Sequence, residues 1–157
     1  MLEDTAEEVA KRFPGTKTLL LDANFPFFNG FPLLPHLSHD DGEKADLAFY
    51  YRDENGYLPG ATRSPIGYFA FEDGPTECSK SWPSLRWDFG FVQPVWRSYE
   101  LDTERTRTVM QVLSADARVG KIFIEPHLVS RLGVAHNKVR FQGCRAARHD
   151  DHIHFQM

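Results

Sequence analysis

Five of the seven histidines of this chain fall into two compact groups that also carry carboxylates. The first is Pro35-His36-Leu37-Ser38-His39-Asp40-Asp41-Gly42-Glu43-Lys44-Ala45-Asp46, and the second is His149-Asp150-Asp151-His152-Ile153-His154. Imidazole nitrogens and carboxylate oxygens together suit a divalent metal ion such as zinc. On an extended strand alternate side chains point the same way, so His152 and His154 project onto one face, two strand rises apart, and address one site together. His39 and Asp46 have Gly42 between them, and a tight turn at that glycine lets a loop-borne imidazole and a strand-borne carboxylate converge. With His154 they make two imidazoles and one carboxylate. Three protein ligands are the usual set for a catalytic Zn2+, which keeps its fourth position for water. Either motif by itself is weak, since an HxH in a strand is most often a surface pair and a lone His with Asp seven residues on is close to noise. Their occurrence in one chain is what carries weight.

The remaining candidates are read differently. His127 and His136 belong to neither group and are expected to be structural or surface residues. Cys78 and Cys144 form neither a disulfide framework nor a CxxC redox pair, although one bridge would suit an exported protein. Cys144 lies near His149 in sequence, but a buried or bridged cysteine is the better reading than a ligand. Asp150 and Asp151 are expected to be solvated or to orient a histidine rather than to coordinate.

Short elements must position these residues. Glu3 to Phe13 carries good helix formers, with Val9 and Phe13 on one face and Pro14-Gly15 as a stop. Thr16 to Ala23 reads as a buried strand, and Asn24 to Pro35, crowded with Phe, Pro and Gly, as a packed irregular loop. Ala45 to Tyr51 reads as a strand that ends at a hairpin-type turn, Asp53-Glu54-Asn55-Gly56. Ile66 to Phe71 is a further strand candidate, and Glu72 to Gln93 a long loop. Asp102 is placed to cap a helix from Thr103 to Ala117. Lys121 to Glu125 reads as a strand, followed by a short helix that Pro126 opens and Gly133 closes. Val139 to Phe141 and Ile153 to Phe155 read as short strands.

Composition narrows the classes. At 157 residues, with 41% hydrophobic and 13% aromatic side chains, the chain forms one domain, 1–157, with enough apolar surface for a core. Lys and Arg number 18 against 22 Asp and Glu, and neither sign forms long blocks, so no basic face offers itself to nucleic acid. The run Leu19-Leu20-Leu21 stops at Asp22, far short of a membrane span. The acidic start, Met1-Leu2-Glu3-Asp4, carries no export signal, which leaves a cytoplasmic protein or one that begins after a removed signal.

His39 with Asp46 seven residues on, followed by an HxH, resembles the metallopeptidase superfamily that contains lysostaphin-type enzymes, D-alanyl-D-alanine peptidases and the Hedgehog amino-terminal domain. Within it the chain is most similar to the penicillin-insensitive murein endopeptidases. Their HxSHxxG stretch is matched by His36, Ser38, His39 and Gly42, and their HxxHxH by His149, His152 and His154. Leu101-Asp102-Thr103-Glu104-Arg105, Lys121-Ile122-Phe123-Ile124 and Lys138-Val139-Arg140 also look similar to family segments, so that the likeness runs from about Leu34 to Met157. The stretch from Ser64 to Ser98 has no counterpart in it. The resemblance implies an α+β fold in which a small central antiparallel sheet, flanked by helices and long loops, carries the metal. It implies Zn2+ held by His39, Asp46 and His154, with His149 and His152 lining the site as non-ligands and His36 beside them. It further implies cleavage of peptide cross-links in peptidoglycan, of the D,D-endopeptidase type, and a place in the periplasm or cell envelope.

Related D-alanyl-D-alanine peptidases use a Glu shortly before the last ligand, but no Glu follows Glu125 here. The proton acceptor is therefore read as His152, on the same face as His154, with His149 stabilising the oxyanion or protonating the leaving amine. Arg63 and Arg148 are candidates for a substrate carboxylate, against the default of an exposed arginine. Two other classes stay open: a non-catalytic zinc-containing binding module of the same fold, and a structural-metal protein without hydrolytic function. Elemental analysis is expected to find one Zn2+ per chain. His39→Ala, Asp46→Ala and His154→Ala should each empty the site, whereas His127→Ala and His136→Ala should leave it filled. Zinc lost from the last two would overturn this sorting of the histidines.

Overall fold

The computed structural model describes residues 1–23, 43–79, 84–87 and 89–157. Its elements, in chain order, are α1 (Leu2–Arg12), β1 (Leu20–Asp22), β2 (Lys44–Ala48), β3 (Tyr51–Asp53), β4 (Gly56–Tyr57), a 3-10 turn at Gln93–Val95, β5 (Glu100–Leu101), α2 (Thr103–Ala115), β6 (Lys121–Phe123), α3 (Pro126–Leu132), β7 (Val139–Arg140) and β8 (His152–Gln156). The fold is α+β, with a five-stranded sheet in the order β1-β2-β8-β6-β7 and a three-stranded sheet in the order β4-β3-β5. No helix among the described residues is long and apolar enough to cross a membrane.

Period-two alternation gives the larger sheet two different faces. Ala45 lies opposite Phe155, and Leu47 opposite Ile153, with Ile122 of β6 opposite Phe155. These side chains form the core face, buried with Val9 of α1, Val109, Met110 and Leu113 of α2, and Leu128 and Leu132 of α3. The alternate residues, Asp46 opposite His154, Ala48 opposite His152 and Phe123 opposite His154, share the other face. One register therefore decides both the core and the chemistry.

The helices form where their ends are chemically marked. Asp102 caps α2, its carboxylate accepting the Arg105 N–H at 3.0 Å. The other oxygen takes the Arg105 guanidinium at 2.6 Å, and that guanidinium lies over the rings of Phe13 and Tyr57, 4.7 and 4.1 Å from their centroids. Pro126 opens α3, and Gly133 ends it in the left-handed region at φ 63°.

Several sequence expectations need correction. The expected antiparallel sheet is mixed, because β6 and β7 pair in parallel across α3, the kind of crossover that a parallel pair requires. The strand expected over Thr16 to Ala23 shrinks to β1, which among the described residues is an edge strand paired on one side, with Leu20 exposed. The strand expected from Ala45 to Tyr51 breaks after Ala48, and β3 turns into the second sheet, where the expected hairpin pairs Asp53 with Gly56. Ile66 to Phe71 is not a strand. Gly67 and Phe69 both have positive φ, 81° and 63°, and Ile66 is exposed. A Cβ on Gly67 would sit 2.3 Å from a methyl of Leu21, so any other residue would have to displace that side chain as well as take up a left-handed backbone. The loop expected over Asn24 to Pro35 lies outside the described residues.

Cys78 and Cys144 are disulfide-bonded, with Cα atoms 5.3 Å apart and 66 residues between them in sequence. The bridge ties the segment around Cys78 to the segment after β7, where the Leu85 N–H also donates to the Arg145 carbonyl at 3.1 Å. Replacing both cysteines by serine is expected to lower unfolding stability by about 2–4 kcal/mol in a denaturant titration. A denatured, unreduced sample should show no titratable thiol, and two free thiols in protein made under oxidising conditions would contradict the bridge.

Candidate metal centre

The site is built on the face of β2 and β8 opposite the helices. Asp46, His152 and His154 are essentially without exposure, at 0%, 1% and 2%. His154 donates from Nδ1 to Asp46 Oδ1 at 2.8 Å, while its Nε2 lies 3.3 Å from the Gln156 amide nitrogen. His152 is held from its outer side: Nδ1 bonds to Asp151 Oδ1 at 2.5 Å, and Nε2 faces Asp46 Oδ2 at 3.6 Å. A carboxylate behind one ring nitrogen fixes the tautomer and leaves the other nitrogen directed into the site. His149, from the irregular segment before β8, brings its ring to 5.0 Å from that of His152 and 5.4 Å from that of His154. Phe123 closes one side, 6.1 Å from the His149 ring and 5.6 Å from that of His154.

This buried group of His149, His152 and His154 can hold a metal ion, since one nitrogen from each ring lies within 4.8 Å of the others. The donors are imidazoles with a carboxylate beside them, a set suited to a divalent transition metal. The local field agrees. Burial alone would pull the His152 pKa down, but the carboxylates of Asp46, Asp151 and Asp150 outweigh it and raise it to about 9. The carboxylates favour positive charge at this place.

A loop covers the face. The Tyr68 hydroxyl donates to Asp46 Oδ2 at 2.9 Å, and its ring meets His152 edge-on at 5.0 Å. Burial, with the Asp46 carboxylate beside it, holds this hydroxyl well above the ordinary phenol range, so it remains a donor. Next to it the Phe69 N–H donates to Asp151 Oδ2 at 2.5 Å. The Phe69 carbonyl accepts from Gln93 Nε2 at 2.7 Å and Trp96 Nε1 at 2.8 Å, and Ser64 Oγ donates to the Tyr68 carbonyl at 2.5 Å. Side chains thus satisfy this backbone where a strand ladder would have done so, and they hold Phe69 in its left-handed conformation.

Of the residues expected at the site, the structure brings together Asp46, His149, His152 and His154. His36 and His39 lie outside the described residues. Asp150 and Asp151 are buried rather than solvated: Asp151 orients His152, and Asp150 pairs with Arg148 at 2.5 Å. Arg63 and Arg148 serve internal carboxylates, Arg63 bonding to Glu72 at 3.2 Å and to the Phe71 carbonyl at 3.0 Å. His136 is exposed, and His127 packs its ring against Gly74. The sequence reasoning missed Tyr68, Phe69 and Phe123. Phe123 was within reach, because alternation on β6 places it with His154; Tyr68 falls in the Ile66 to Phe71 run that reads as a strand, and nothing in that run marks it for the site.

No model of a known protein family matches the chain, and no curated protein matches it.

Tyr68→Phe keeps the ring and deletes the hydrogen bond to Asp46. Partners of this outer kind typically contribute 10–100-fold to metal affinity. A loss of about that size is expected in a chelator-competition titration, with the folded structure retained by circular dichroism. Unchanged affinity would separate Tyr68 from the metal centre.

Proposed function

We propose that this chain is a zinc-dependent peptidase that hydrolyses the peptide cross-links of bacterial peptidoglycan, with His39, Asp46 and His154 as metal ligands. The observation that carries it is the buried apposition of Asp46 to His154 across one strand pair, with two further imidazoles within reach. The likeness of His36, Ser38, His39 and Gly42, and of His149, His152 and His154, to murein endopeptidase motifs supplies the substrate class. The Cys78–Cys144 bridge accords with an oxidising compartment such as the periplasm or cell envelope.

Zinc held there would polarise the scissile carbonyl and bring the pKa of a water toward neutrality. His152, anchored through Nδ1 on Asp151, takes the proton of the attacking water at Nε2. That role needs a neutral imidazole, and engagement of Asp46 by a cation removes the leading cause of the raised His152 pKa. His149 stabilises the oxyanion or returns a proton to the leaving amine. Phe123 and Tyr68 keep the surroundings dry and the Asp46 carboxylate oriented.

The mutual approach of the three imidazoles favours a second reading, in which all three bind the metal and none is left for proton transfer. The protein would then be a zinc-containing binding module. Paired measurements of zinc content and turnover on a cross-linked muropeptide separate the two. For a peptidase, His152→Ala should keep its zinc and lose about 10²–10⁴-fold in rate, while His154→Ala loses both. Zinc lost from His152→Ala, or a zinc-loaded wild type inert on every muropeptide, would favour the binding module.

A further inference from the structure

The carboxylate of Glu125 stands at the start of α3 yet makes no capping bond to it. The main chain of Glu125 does serve the helix, its carbonyl accepting from Leu128 and Val129 at 3.0 and 3.2 Å. The side chain is instead turned to two other groups. Glu125 Oε1 accepts the His149 N–H at 3.3 Å, while the Glu125 N–H donates to the His149 carbonyl at 3.0 Å, so residue 125 holds the peptide groups on both sides of the His149 Cα. The Arg86 guanidinium meets the same carboxylate with both of its terminal nitrogens, at 3.0 Å to Oε1 and 2.7 Å to Oε2. Both side chains are nearly buried, at 9% and 3% exposure.

A buried, doubly bonded pair of this kind is a poor source of net stability, because desolvation offsets much of the attraction. It is an effective source of geometry, because the planar fork admits one orientation. The geometry it sets is that of His149, which belongs to no helix or strand and whose ring lies within reach of His152 and His154. Arg86 is itself anchored, since Leu85 bonds to Arg145 beside the Cys78–Cys144 bridge.

We propose that Arg86 and Glu125 are positioning residues for His149, acting through its main chain to set the imidazole's place in the metal centre. This rests on the reading of the histidine cluster as a metal site, and the test keeps the two apart. The full chain is studied metal-free and loaded with Co2+ as a coloured substitute for zinc. In metal-free Arg86→Ala the ring resonances of His149 should shift while those of the exposed His136 stay in place. In the loaded protein the visible spectrum should change, and metal affinity or turnover should fall about 10–100-fold. Arg86→Lys, which cannot form the fork, should restore only part of the loss, and Glu125→Gln, which keeps an oxygen for the His149 N–H, should be milder than Glu125→Ala. A purely structural pair would lower the melting temperature but leave the His149 resonances and the spectrum of the folded protein unchanged, and that result overturns the proposal. Should Arg86→Ala fail to fold, the same comparison is made on Arg86→Lys and Glu125→Gln. If the wild type binds neither Co2+ nor Zn2+, the metal reading falls, while a His149 shift in the variants still supports the positioning role.

Discussion

The pairing of β2 with β8 is the constraint on which the rest of the structure depends. Because side chains alternate along a strand, the register that sets Asp46 opposite His154 also sets Leu47 opposite Ile153 and Ala45 opposite Phe155. A slip of one residue would drive a carboxylate and two imidazoles into the helices and expose the core's central hydrophobics. The apolar side therefore pins the polar side. Packing against α2 and α3 supplies the energy, and the buried histidines and Asp46 inherit their geometry from it.

The site's polar groups are expensive to bury, and the structure answers this by partnering them in layers. Asp46 receives His154 and Tyr68, His152 leans on Asp151, and Asp151 in turn takes the Phe69 N–H. Behind these stand arginine–carboxylate pairs, Arg63 and Arg131 with Glu72, Arg86 with Glu125 and Arg148 with Asp150. Each carboxylate lies within or beside the segments that carry the site, and Glu72 is further tied to it through its N–H on the Asp150 carbonyl at 2.7 Å.

What could be read from the sequence followed a physical division. Local signals were dependable: the Asp102 cap, the Pro126 start and Gly133 stop, the Asp53–Gly56 hairpin turn, and the shared face of His152 and His154 all follow from interactions within a few residues. Apolar runs misled where tertiary surroundings decide, as at Leu20, which lies on a sheet edge, and at Ile66 to Phe71, whose backbone bonds to Gln93, Trp96, Ser64 and Asp151. The joining of Asp46 to His154 could be anticipated because both belong to recognisable histidine–carboxylate groups. Tyr68 and Arg86 could not: Tyr68 lies in the Ile66 to Phe71 run, which reads as a strand and is not one, and Arg86 in the stretch after it, which shows no sustained period. The least legible part of the chain covers and buttresses the most legible part.

Asp46 and His154 touch although they stand 108 positions apart in the chain. A growing polypeptide cannot assemble this centre piecemeal, since β8 is the middle strand of its sheet and is synthesised after every other strand in it. Until it arrives, neither β2 nor β6 has the strand that lies between them in the sheet. Non-local pairing of this kind slows folding and lengthens exposure to misassociation. β8, the strand that carries His152 and His154, is thus also the one that completes the sheet, and its late arrival lengthens the time for which strand edges lie unpaired.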